Sequence, residues 1–270
     1  MQEVIRDVSK VDTESKRIES IDFNCDLAQS FGIYKNDEEF DLLDYVSSVN
    51  IATGFHAGDP VSIKNALLKA KEKNVVIGAH IGFNDIQGFG SRMMKLTEEE
   101  LESIVVYQVG ALMSFAKAYG LEVEYVRPHG AMYKLASEDF TFSCTIAKAV
   151  KKCSRWLTYV GAAGDVINKT GEFIQLPIAK EIKLNKVYNT DGAINYDAEE
   201  INDFDALSRK LQKYLRYSQV ENMARGTTFV EGDTIHFPSG KIFIDLIKRA
   251  NELIKPAPVN YGKVKPSGWA

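Results

Sequence analysis

Cysteine is scarce in this chain and never clustered: Cys25, Cys144 and Cys153 are its only three among 270 residues, and none stands in CxxC spacing. An odd, scattered set excludes a disulfide framework and a thiolate zinc site, and it fits a reducing cytoplasm. An excess of one charge is missing too. Lys and Arg number 33 against 37 Asp and Glu, a formal net charge of -4 with the cations dispersed. This leaves no basic face for nucleic acid and no polybasic anchor for a membrane. No apolar run reaches transmembrane length. Residues 1–20 are charged and lack an apolar signal-peptide core, so they read as a polar extension. Phosphate-binding signatures are also absent. No GxGxxG follows a strand-like run and no glycine-rich loop ends in Gly-Lys-Ser/Thr, which removes the main support for an open dinucleotide-binding sheet. The partners left are small molecules, with a homo-oligomer open.

What is present is alternation. Strand-like runs fall at residues 20–25, 48–55, 75–79, 123–126, 156–161 and 173–176, rich in Val, Ile and Phe and mostly continuous, which suggests strands covered on both faces. Helical patterns fall at 38–46, 61–73, 97–119, 140–152, 203–217 and 241–254. Asp59 before Pro60 reads as a helix cap, and Thr97 with Glu100 as a capping box. After about residue 190 the rhythm weakens to a turn at Asp191-Gly192 and a hairpin around residues 231–233. The whole predicts an α/β fold with a parallel sheet: a polar extension (1–20), a single barrel domain (21–254) and an extended surface tail (255–270). In a (β/α) barrel, the loops after successive strands converge at one end.

Three of the four histidines sit in glycine-flanked turns directly after such runs: His56 in GFHAGD, His80 in GAHIG and His129 in RPHGA. Imidazole at successive strand exits suits proton transfer or metal ligation. Asp26, after the first strand, adds a carboxylate. Asp26, His56, His80 and His129 are therefore the candidate catalytic residues and equally candidate ligands of a divalent metal, since one Asp and two His with an open position make a workable catalytic centre. A metal-free site using the same groups is equally consistent, because no HxxxH or HExxH pair fixes two ligands on one element. Histidines bonded within their turns would be the bland account, sufficient for one of the three. His236, in a different context, reads as structural. For Asp59 the capping role outweighs the catalytic one, though both can coexist. The loop GFNDIQGFGSRM (residues 82–93) carries Asp85, Gln87 and Arg92, with Arg92 suited to grip a substrate carboxylate bidentately.

The segments NCDLAQSFG (24–32), NIATGFHAGDP (50–60), GAHIGFNDIQGFG (78–90), YQVGAL (107–112) and RPHGAMY (127–133) closely resemble the LamB/YcsF family. The resemblance implies a single seven-stranded (β/α) barrel of the glycoside hydrolase/deacetylase type, with Asp26, His56, Asp59, His80 and His129 lining the site; Asn24, Asp59, Asp85, Gln87, Arg92 and Tyr133 are the candidate substrate-binding residues. It implies ATP-dependent opening of the lactam of 5-oxoproline to L-glutamate, with ATP as co-substrate and PxpB- and PxpC-like subunits as partners. The chain departs from the family pattern in places. DLGE becomes Asp26-Leu27-Ala28-Gln29, Thr53 stands for Cys, and Ser91-Arg92 for two arginines. EVFADRxYxxDG becomes residues 181–192 with Asn185-Lys186 for Asp-Arg, and the HGD element is replaced by Pro238-Ser239-Gly240. Two other readings stay open: a metal-dependent amidohydrolase or carbohydrate deacetylase, and a catalytically weakened paralogue that binds a small carboxylate or a partner subunit.

Overall fold

In strand β1 (Asp22–Leu27) polar and apolar residues alternate, although every one of them is buried. The computed structural model, which describes residues 18–261, explains why: the strand is one stave of a closed barrel whose inside is polar and whose outside faces helices. Successive side chains of a strand point to opposite faces. Phe23, Cys25 and Leu27 thus join the apolar layer under the helices, while Asp22, Asn24 and Asp26 point into the barrel and bond across it.

The elements follow in the order β1, β2 (Ser48–Ala52), α1 (Pro60–Lys73), β3 (Val76–Ile81), α2 (Glu98–Ala118), β4 (Tyr125–Pro128), α3 (Gly130–Glu138), α4 (Phe140–Cys153), β5 (Thr158–Ala162) and α5 (Asp165–Ile174). Then come β6 (Ile178–Lys183), β7 (Val187–Tyr188), β8 (Ile194–Asn195), α6 (Phe204–Tyr217), β9 (Gln219–Glu221), β10 (Thr227–Phe229), β11 (Thr234–His236) and α7 (Lys241–Leu253). Seven of the strands close in the order β1-β11-β6-β5-β4-β3-β2, every neighbouring pair parallel. Two small antiparallel hairpins, β7–β8 and β9–β10, are inserted between β6 and β11. The expected seven-stranded barrel is therefore present.

Helix starts follow local chemistry. Asp59 caps α1 by accepting from the amides of Val61 and Ser62, and the Ser62 hydroxyl completes a capping box. Thr97 and Glu100 form the expected reciprocal box at α2.

Several boundaries differ from the sequence reading. Residues 38–46 do not form an α-helix but a 3-10 helix at Asp37–Leu42, closed by short bonds such as Leu43 N–H to Phe40 C=O. The contiguous Leu42 and Leu43 are buried without a helical stripe. Residues 173–176 are not the sixth strand. Phe173 and Ile174 end α5, whose buried Ile167, Thr170, Gly171 and Ile174 have helical spacing, and left-handed Gln175 stops the helix. The sixth strand begins only at Ile178. Residues 231–233 are not a hairpin but the lead into β11, the strand that closes the barrel between β6 and β1. The tail is no pure surface segment: Tyr261 is buried, stacked on Tyr125 with ring centroids 4.6 Å apart and donating to Asp22 at 3.0 Å. The rest of the expected tail, residues 262–270, and residues 1–17 of the expected extension lie outside the described residues.

Candidate active site at the carboxyl end of the barrel

The barrel interior is built of stacked polar layers. At the bottom, Asp22 accepts from the hydroxyls of Ser47, Ser48, Thr234 and Tyr261. In the middle, Asn24 donates to Thr234 at 2.7 Å and accepts from Asn50 at 2.8 Å, and the Tyr125 hydroxyl bonds Asn50. At the top, where β1, β3, β4, β6 and β11 end, Asp26, His80, Arg127, Lys183 and His236 come together. Buried polar groups are tolerated when their partners are satisfied, and the two lower layers meet that condition and hold the top one in place.

Arg127 organises that top layer. Its Nε and Nη2 meet the two oxygens of Glu181 at 2.6 and 2.9 Å, and its Nη1 lies 3.3 Å from Asp26 Oδ1. The fork geometry of guanidinium matches a carboxylate in this bidentate way. Burial pushes both carboxyls up, but the charges around them win. The imidazoles of His80 and His236 and the Arg127 guanidinium hold Asp26 well below the usual carboxylate range, and Arg127 leads the groups that bring Glu181 down to about 2. Both acids are ionised at neutral pH.

The imidazoles are oriented by backbone carbonyls. His80 Nδ1 donates to the Arg127 C=O at 3.1 Å, which leaves Nε2 as an acceptor 3.4 Å from Asp26 Oδ1 and 3.2 Å from Arg127 Nη1. His129 Nε2 donates to the Phe89 C=O at 2.8 Å, which leaves its Nδ1 facing His80 Nε2 at 3.0 Å. Burial and the neighbouring His80 push His129 down to about 3, so it is neutral. The two nitrogens face each other at a distance that one shared proton or one metal ion can bridge. His56 stacks on His129 with centroids 4.0 Å apart; it is fully buried and neither of its ring nitrogens has a hydrogen-bond partner among the described residues.

The glycines beside these histidines allow the close packing. A Cβ on Gly82 would stand 2.5 Å from His56 Nδ1, and one on Gly90 would meet His56 Cβ at 2.8 Å and His129 Cδ2 at 2.9 Å. Gly90 also has φ +66°, a left-handed conformation that L side chains avoid. Gly90→Ala is therefore expected to cost about 1–3 kcal/mol from backbone strain alone and to separate the stacked imidazoles. Urea unfolding and the ring proton shifts of His56 and His129 check this; an unchanged pair of rings would refute it.

The structure thus brings Asp26, His56, His80 and His129 together, as expected from their positions at strand exits. Asn24 lies one layer below, as a structural node. Asp59 is spent on capping α1 and on the Gly32 amide at 2.8 Å. Arg92, expected to face a substrate carboxylate, instead closes on Asp85 through its Nε at 2.9 Å and its Nη2, and Gln87 is exposed. Tyr133 on α3 does reach the site: its ring lies 5.1 Å from the Arg127 guanidinium and 4.1 Å from Lys183 Nζ.

Four residues of the site are not anticipated by the sequence reading: Arg127, Glu181, Lys183 and His236. His236, read from the sequence as structural, stands beside Asp26. Its Nδ1 donates to Asn24 Oδ1 at 2.8 Å, its Nε2 lies 3.6 Å from Asp26 Oδ2, and burial pushes it down to about 3. Glu181 and Lys183 are two apart on β6 and so share its inner face, a signal hidden by placing the sixth strand too early. Among the departures from the family pattern, Gln29 bonds Asn36, while Asn185 and Lys186 both bond Glu200.

The profile of the LamB/YcsF family matches residues 21–242. The A subunit of 5-oxoprolinase from Bacillus subtilis (strain 168) is 40% identical over 218 residues, covering 80% of this chain and 85% of that protein. That of Natranaerobius thermophilus is 42% identical over 174 residues, 64% of this chain and 68% of the relative. The crystal structure of a lactam utilization protein from Thermus thermophilus superposes with a TM-score of 0.83 at 31% identity, over 89% of this chain and all of that one. A barrel of the same topology, the histidine turns at its carboxyl end and a family profile running through nearly all of the barrel lead to one assignment: the chain belongs to the LamB/YcsF family.

Proposed function

We propose that this chain is the A subunit of an ATP-dependent 5-oxoprolinase and carries the site at which the lactam of 5-oxoproline is hydrolysed to L-glutamate. The observation that carries this reading is the 40% identity to the A subunit of the Bacillus subtilis 5-oxoprolinase, over 85% of that protein's length. The site chemistry agrees with it. Hydrolysis adds water across the C–N bond, with hydroxide going to the carbonyl carbon and a proton to the ring nitrogen. The facing His80 Nε2 and His129 Nδ1 form a base that takes the proton from water and returns it to the leaving nitrogen. Asp26, kept ionised, faces the His80 nitrogen and stabilises the protonated pair. An unstrained lactam is a poor electrophile, so ATP as co-substrate activates its carbonyl oxygen, and PxpB- and PxpC-like subunits complete the assembly.

A divalent cation fits the same imidazoles. The ligand nitrogens of His56, His80 and His129 lie within 4.8 Å of one another. His56 is unpartnered, and the outer N–H groups of His80 and His129 are held by carbonyls, as metal-ligating histidines commonly are. These three residues, rather than Asp26, would hold the ion, because Arg127 already places a positive charge 3.3 Å from Asp26. Bound there, a cation would supply Lewis-acid polarisation of water or carbonyl.

Co-expression with PxpB- and PxpC-like subunits and measurement of glutamate formed from 5-oxoproline and ATP tests the function. Turnover that disappears in His80→Ala is expected; no turnover beside an active relative assayed in parallel would refute the reading.

A further inference from the structure

Two cations lie over the ring of Tyr133 at the top of the barrel, and their situations differ. Arg127 is saturated by Glu181 and Asp26. Lys183, at the end of β6, has no such complement: among the described residues no carboxylate stands within ion-pair distance of its Nζ, and its close contact is the Tyr133 ring at 4.1 Å. The other cation that the sequence offers for an anionic substrate, Arg92, is turned away onto Asp85. In net charge, Arg127 and Lys183 balance Glu181 and Asp26, but Lys183 supplies its share without forming an ion pair, so its ammonium group is free to meet a ligand. Burial and the Arg127 charge push it down to about 8, against the opposing pull of Glu181 and Asp26.

The position suits a ligand that reaches the base. Arg127 lies between Lys183 and His80: its guanidinium shares the Tyr133 ring with Lys183, and its Nη1 is 3.2 Å from His80 Nε2. A compact ring with a carboxylate at one end and a scissile amide at the other would lie across Arg127, anion towards Lys183 and carbonyl towards His80 and His129.

We propose that Lys183 is the carboxylate anchor of this site, so that the protein selects lactams bearing an acid group over their neutral counterparts. The proposal rests on the 5-oxoprolinase reading, and it names a specificity residue that is this chain's own, since Lys183 stands where the family pattern EVFADRxYxxDG has Phe. A hydrogen bond to a charged group is worth about 1.5–3 kcal/mol, so losing it weakens binding about 10- to 100-fold.

The test compares 5-oxoproline with 5-oxoprolinamide, which has the same lactam and no charge. Their affinities are measured by calorimetric titration of the full chain, and their KM and kcat in the assembly with its partner subunits. The wild-type protein is expected to prefer the acid about 10- to 100-fold. Lys183→Met should lose that preference through a weaker affinity and higher KM for the acid, with the amide little affected, and Lys183→Arg should keep it. An acid-to-amide ratio unchanged in Lys183→Met would overturn the anchor alone. Binding of the acid without turnover in the wild-type assembly would remove the hydrolase reading and leave the anchor standing. A wild-type chain that binds neither compound would remove both. A thermal transition of Lys183→Met equal to that of the wild type confirms that the variant folds.

Discussion

Arg127→Met is expected to destabilise the protein by about 3–5 kcal/mol and to abolish activity, because it strands two buried anions. Glu181 is fully buried and receives both of its strong bonds from this guanidinium, at 2.6 and 2.9 Å. Asp26 loses the permanent cation at 3.3 Å that helps keep it ionised, and His80 Nε2 loses a donor at 3.2 Å. A carboxylate left alone in a closed interior must take up a proton or admit water. Arg127→Met with Glu181→Leu should recover part of the stability, since removing a whole buried pair costs less than breaking it. It should recover no activity, because Asp26 and His80 remain unsupported. Urea unfolding followed by tryptophan fluorescence measures both variants; a single-variant loss below about 1 kcal/mol would show that solvent reaches the pair.

Acid should unfold the protein well above the range in which carboxylates titrate. His236 is held near 3 in the folded protein by burial, against about 6.5 in an unfolded chain. Below the unfolded value, the unfolded state binds a proton that the folded state refuses. The stability contributed by the neutral ring is therefore complete above about pH 6.5 and is lost as pH falls towards 3. At pH 5 the loss from this ring alone is about 2 kcal/mol. His129, also pushed to about 3, and His56, lowered by burial, act in the same direction. Glu181, near 2, and Asp26 extend the loss to lower pH, since carboxylates depressed in the folded state lose their contribution as they are protonated. Urea midpoints at pH 8, 6.5 and 5 should fall steeply over the last interval. His236→Gln should flatten that fall, and a midpoint constant from pH 8 to 5 would refute the account.

The histidine turns are legible in the sequence because each carries its own local evidence: an imidazole, flanking glycines and an apolar run ahead of it. The structure adds what those glycines do, which is to let His56 and His129 stack. The Asp59 and Thr97 caps are legible for the same reason, since capping is decided within four residues. Arg127 hides in plain view next to His129. Arginine on a strand ordinarily reads as surface, and nothing nearby in the chain names Glu181 as its partner, 54 residues away. β11 escapes a reading of the sequence because three residues cannot display a period, and because polar Thr234 and His236 resemble a loop until the barrel interior proves polar.

The sequence by itself determined the class of fold, the end of the barrel at which the histidine turns meet, and four of the residues found there, because strand and helix periods, caps and glycine turns are local properties of the chain. Only the tertiary structure decided which charges meet. Closing the barrel through β11 sets Glu181 against Arg127, leaves Lys183 without a carboxylate partner among the described residues, turns Arg92 away onto Asp85, and brings His236 beside Asp26. The physical reason is that the strength of a charge pair depends on distance and burial, and neither exists until residues far apart in the chain share one closed, water-poor interior.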